Sequence, residues 1–128
     1  MTDQPLVQVL ISPTFNRNLR ALAKKYRHIR DDIQPVIEQL EQGELPGDQI
    51  PGIGYPVFKL RVRNSDIQKG KSGGYRLIYY VKTVAGIILL TVYIKSEQVD
   101  IAAQDIQAII ADYEQKPINE EEEATYDA

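Results

Sequence analysis

Two hydrophobic periods divide this chain. Leu6 to Ile11 (LVQVLI) is an apolar run of strand length. Phe15, Leu19, Leu22, Ala23 and Tyr26 then recur at three- and four-residue spacing, with Arg17, Arg20, Lys24 and Lys25 largely elsewhere. Such spacing predicts one buried stripe on a helix. Ser12 and Pro13 stand at its start, a hydroxyl that can cap free amides and a proline tolerated in a first turn. A second stripe, Ile33, Val36, Ile37 and Leu40, predicts a helix over Asp31–Gln42. Its start is placed at Arg30 to Asp32, so that Pro35 falls near the first turn. Gly43 ends it, and the two helices read as a hairpin.

From Gly43 to Pro56 the period disappears. This stretch holds four of the eight glycines and three of the seven prolines, which predicts a loop without regular structure. Ile50, Ile53 and Tyr55 within it imply that the loop lies against the body. Three strands follow, Val57–Arg63, Gly74–Lys82 and Ile87–Lys95, the first two joined by a Gly/Ser/Lys loop and the last two by a short turn around Thr83 to Gly86. Helical spacing returns at Ile101, Ile106, Ile109 and Ile110, predicting a helix over Ile101–Tyr113. The order is βααβββα: an α+β domain over residues 1–113 with a small antiparallel sheet. Residues 114–128 read as an acidic, disordered tail.

Composition narrows the chemistry. With no cysteine and a single histidine, the chain has no thiol nucleophile and no usual zinc ligand set, so no metal or other cofactor is expected. No apolar run reaches the roughly 18 residues of a membrane span, and the N-terminus lacks the cationic start of a signal peptide. The expectation is a cytoplasmic, metal-free protein with no membrane partner. The net charge of −3 is unevenly placed. Residues 112–128 carry seven acids against Lys116, which leaves residues 1–111 with fourteen cations and eleven anions.

That mildly basic body concentrates its charge. Lys59, Arg61, Arg63, Lys69, Lys71 and Arg76 stand against the single anion Asp66. Lys59, Arg61 and Arg63 alternate with Leu60 and Val62, so a strand would put all three cations on one face. A crowded cationic face is costly in self-repulsion, and a polyanion relieves it. Nucleic acid is the partner class this pattern favours.

The strings FKLRVRNSD, KGKSGGYRLIYYV and LLTVYIKSEQVDI, in the order βααβββα, resemble the RelE/ParE superfamily of bacterial type II toxins, near its RelE and HigB-like branches. The likeness spans residues 6–112. It implies a RelE-like, microbial-ribonuclease-like fold and an endoribonuclease that cuts messenger RNA in the ribosomal A site. It further implies a cognate antitoxin as partner, with operator DNA met only through the antitoxin complex. Lys59 and Arg61 match the two basic strand positions that face the RNA backbone. Arg76 matches the arginine on the scissile phosphate, and Lys95 the basic position after the last strand. The family's general-base tyrosine has no counterpart, because Ile101 stands in its place. Tyr93 and Glu97 are the candidate bases, with Lys59 a third if its arginine neighbours disfavour its charge.

Cutting RNA through its 2′-hydroxyl needs a base for that hydroxyl, positive charge on the five-coordinate phosphate and a donor for the departing 5′-oxygen. Arginine suits the second task, since its planar fork grips two phosphate oxygens. Arg63, Lys69 and Lys71 would grip the flanking backbone, and Tyr75 would stack on a base. Two other functions use the same residues: a catalytically weak nucleic-acid binder that acts as a co-repressor with its antitoxin, and a gyrase poison of the ParE kind. KGKSGG lacks the full phosphate-loop pattern and precedes a strand rather than a helix, which argues against nucleotide binding.

Overall fold

The computed structural model describes residues 7–67, 74–97 and 100–115. In chain order the elements are β1 (Gln8–Ile11), α1 (Pro13–Lys25), α2 (Ile29–Glu41), β2 (Asp48–Gln49), β3 (Val57–Val62), β4 (Tyr75–Thr83), β5 (Gly86–Ile94) and α3 (Ala103–Gln115). They form an α+β domain whose five-stranded sheet runs β1-β5-β4-β3-β2. The pairs β3·β4 and β4·β5 are antiparallel, as expected; β2 adds an antiparallel edge against β3, and β1 a parallel edge against β5.

α1 begins where its sequence says. The Ser12 hydroxyl accepts the Phe15 N–H at 3.0 Å and donates to the Leu90 carbonyl at 2.8 Å, capping the helix and fastening it to β5. α2 departs from expectation. It starts at Ile29 rather than at Arg30 to Asp32, which puts Pro35 inside the helix. Ile29 is fully buried, and with Ile33, Val36, Ile37 and Leu40 it makes an apolar face whose packing outweighs the hydrogen bond lost at Pro35.

The loop from Gly43 to Pro56 also carries more order than its composition predicts. Asp48 and Gln49 pair with Lys59 and Phe58 as the two-residue strand β2. Gly47 makes this possible. Its φ is +95°, and a Cβ there would lie 2.5 Å from the Lys59 carbonyl oxygen. Only glycine lets the loop turn and press this closely on β3.

The sheet separates two cores. On one face α1 and α2 cover Val9, Ile11, Val62, Tyr75, Leu77, Tyr79, Ile87, Leu89, Val92 and Ile94. On the other, α3 lays Ile106, Ile110 and Tyr113 over Val57, Ile78, Tyr80, Ile88 and Leu90. The spacing of four and then three between those α3 residues is one helical stripe. α3 runs to Gln115, past the expected end of the domain. Glu114 accepts a hydrogen bond from Tyr80 Oη at 2.9 Å and pairs with Lys82 at 3.4 Å, so it belongs to the body rather than to the tail. The rest of the acidic tail lies outside the described residues. No helix among the described residues is long and apolar enough to cross a membrane.

Candidate functional site

α3 covers only part of its sheet face. Beyond it, Lys59, Leu60 and Arg61 of β3, Arg76 of β4, Lys95 after β5, and Gly47 and Asp48 at β2 line an open cleft of about 480 Å³. β3 brings Lys59 and Arg61 there by strict alternation. Val57, Lys59 and Arg61 point to the α3 side, while Phe58, Leu60 and Val62 pack against the first core. Arg76 arrives by register, since its Cα partners are Arg61 on β3 and Tyr93 on β5. Arg76 Nη1 donates to the Tyr75 carbonyl at 3.4 Å. Two arginines directly opposite each other destabilise a sheet unless an anion lies between them. Among the described residues neither one pairs with a carboxylate.

Lys59 is held differently. Its Nζ lies 3.2 and 3.4 Å from the two carboxylate oxygens of Asp100, which precedes α3. Asp100 also accepts the Ile101 N–H at 2.8 Å and the Tyr93 hydroxyl at 3.1 Å. The Ile101 amide above all, and then Lys59 and Tyr93, hold the Asp100 carboxyl below its usual range. Lys59 is thus bound to both oxygens of one carboxylate.

The expected site residues divide accordingly. Lys59, Arg61, Arg76 and Lys95 meet in one cleft. Arg63 is exposed one residue past the end of β3 and does not line it. Lys69 and Lys71 lie outside the described residues. Tyr75 is not a stacking surface: it is fully buried, edge-on to Tyr26 with ring centroids 5.9 Å apart, because alternation along β4 turns it away from Arg76 into the first core. Tyr79 is likewise buried, stacked on Phe58, and its hydroxyl bonds the Pro46 carbonyl.

Neither candidate base fits its role. Tyr93 is 6% exposed. Burial, reinforced by the hydrogen bond to Asp100, pushes its hydroxyl up to about 12, far from a group that deprotonates near neutrality. Glu97 turns toward the end of α1, where it pairs with Lys25 at 2.6 Å and meets the Tyr26 hydroxyl at 3.4 Å. His28 is exposed, paired with Asp66 at 2.7 Å, and does not line the cleft.

Three residues of this region carry no signal of a site in the sequence: Gly47 and Asp48, which line the cleft, and Asp100, which binds Lys59. The Pro46-Gly47-Asp48 string signals a turn, but not that the turn folds onto β3. Asp100 stands beside Ile101, one position from where a base was sought. Among the described residues no group of three His, Asp or Glu side chains could hold a metal ion.

No model of a known protein family matches the chain, and no curated protein matches its sequence. The fold does have a counterpart among solved structures. A double arginine-to-alanine mutant of the E. coli toxin RelE in the free state superposes with a TM-score of 0.52, covering 80% of this chain and 95% of that one at 15% identity. The chain therefore has a RelE-like fold.

Proposed function

We propose that this chain is the toxin of a type II toxin–antitoxin pair, an endoribonuclease that cuts messenger RNA in the ribosomal A site. One observation carries the reading: Lys59, Arg61, Arg76 and Lys95 converge from successive strands on a single open cleft, with Arg61 and Arg76 facing each other. The cleft takes a phosphodiester. Arg76, seated within a central strand, grips the scissile phosphate and stabilises the charge that grows on it as the 2′-oxygen attacks, while Arg61 and Lys59 add field. Lys95 holds the neighbouring backbone. The cleft is rich in cations and poor in acid–base groups, so substrate placement does much of the work, and the ribosome supplies that placement. The chemistry invoked is that of side chains alone, in the cytoplasm. The cognate antitoxin silences the cleft by covering it with an acidic segment, and operator DNA is met only through that complex.

Ile101 supports a second reading. It is half-buried ahead of α3 where the resemblance places a tyrosine, as in a protein that binds nucleic acid without cutting it. Cleavage of a reporter message in a purified translation system separates the two. Wild type and Arg76→Ala are compared with and without ribosomes. Cuts that require ribosomes and disappear in Arg76→Ala are expected. Folded wild-type protein that leaves the message intact in both conditions would overturn the nuclease reading.

A further inference from the structure

We infer that Asp100 is the base that takes the proton from the attacking 2′-hydroxyl, an inference that rests on the ribonuclease reading above. The reaction needs an acceptor beside the bound phosphate. Tyr93 is buried, and Glu97 is engaged with Lys25 at the end of α1. Among the described residues, Asp48 and Asp100 are exposed carboxylates near the cleft. The side chain of Asp48, on β2, has no hydrogen-bond partner among the described residues to orient it. Among the described residues Asp100 accepts from three donors: the amide of the next residue, Ile101, the Tyr93 hydroxyl of β5 and Lys59 Nζ of β3. Lys59 also lines the cleft, so a phosphate seated there lies one side chain away from the Asp100 carboxylate. A base needs this kind of fixed orientation next to the electrophile.

The step balances. Asp100 accepts the 2′-hydroxyl proton as the 2′-oxygen bonds to phosphorus. The bond from phosphorus to the 5′-oxygen breaks, and that oxygen takes a proton from solvent. The products are a 2′,3′-cyclic phosphate and a free 5′-hydroxyl, and Asp100 returns its proton to water. Among the described residues the ionisable groups bonded to Asp100 are Lys59 from β3 and Tyr93 from β5, and Arg76 of β4 is the register partner of Tyr93. The sole histidine is bound to Asp66 elsewhere.

The test is single-turnover cutting of a ribosome-bound message by the full chain as wild type, Asp100→Asn, Asp100→Glu and Asp48→Asn. Asp100→Asn keeps an acceptor for the Ile101 amide and is expected to cut about 100-fold slower or worse. Its rate should climb about tenfold per pH unit between about pH 6 and 8, as hydroxide replaces the lost base, while wild type stays flat. Asp100→Glu should recover part of the rate, and binding of a message with a 2′-deoxy scissile position should hold within about twofold in Asp100→Asn. A purely structural role would slow cutting and leave the profile flat, which overturns the inference. So would Asp100→Asn cutting at the wild-type rate, or the pH slope appearing in Asp48→Asn instead. Wild type that cuts while Asp100→Asn matches it overturns only this assignment. Wild type that never cuts overturns the ribonuclease reading with it.

Discussion

One face of one sheet carries two halves that share strands β3, β4 and β5. Toward one end Val57, Ile78, Tyr80, Ile88 and Leu90 lie under α3, buried with Ile106 and Ile110. A few residues along the same strands, Lys59, Arg61, Arg76 and Lys95 lie beyond the cover of α3 and line the open cleft. The strand period is unbroken between them, since Val57, Lys59 and Arg61 are consecutive positions of one alternation. What changes is side-chain chemistry and the reach of a 13-residue helix, about 20 Å long. The covered half contributes to stability through apolar burial. The bare half sets Arg61 directly opposite Arg76, a like-charge pair that opposes stability. Asp100 stands at their border, ahead of α3 yet bound to Lys59.

The comparison breaks most sharply at Arg76. Arg76→Ala should cut RNA about 10²–10³-fold more slowly and unfold at the wild-type temperature or slightly above it, because it removes one of two facing cations. Arg76→Lys should recover only part of the rate, since an ammonium lacks the fork. In the covered half, Ile110→Ala should show the reverse. Urea unfolding is expected to register a loss in the lower part of about 2–5 kcal/mol, with cutting by the folded fraction unchanged. Gly47→Ala tests the wall of the cleft. A side chain at a φ of +95° against the Lys59 carbonyl should cost about 1–3 kcal/mol and weaken RNA binding through displacement of β2. A smaller effect is expected in the salt dependence of single-stranded RNA binding. Removing Arg61 should flatten the log–log slope by about 0.7, the share of one phosphate contact, whereas Ile110→Ala should leave it unchanged.

The smallest effect lies outside both halves, at His28 and Asp66. The hydrogen bond and charge of Asp66 raise the His28 pKa, and His28 in turn lowers that of Asp66. The raised histidine contributes stability below its ordinary value of 6.5 and loses it as pH rises through the raised one. The lowered carboxyl contributes above its ordinary 3.8 and loses it as pH falls through the lowered one. The thermal midpoint of wild type should therefore exceed that of His28→Gln most between those ordinary values, and the gap should close in mild alkali.

Much of the fold was legible because hydrophobic period and punctuation agree. Ser12-Pro13 marks the start of α1, and the β3, β4 and β5 runs read as strands. α2 and β2 escaped because packing overrode local signals: a buried Ile29 carried the helix past its expected start, and Gly47 let a proline-rich loop pair with β3. The gathering of Lys59 and Arg61 was legible from alternation alone. Their meeting with Arg76 needed the register, and Lys95 was placed only by resemblance. Tyr75 was misread because a tyrosine beside an arginine on a strand necessarily faces the other way, here into a core. Asp100 was not legible, since Lys59 lies 41 residues away along the chain and reaches it only through the fold.

The most direct test of the central claim, that the bare half of this face cuts RNA, is to map the ends of a ribosome-bound message after exposure to wild type and to Arg76→Ala of verified wild-type stability. Discrete cuts that leave 2′,3′-cyclic phosphate ends are expected with wild type, and none above background with the variant. Equal cutting by both proteins, or ends of another chemistry, would contradict that claim.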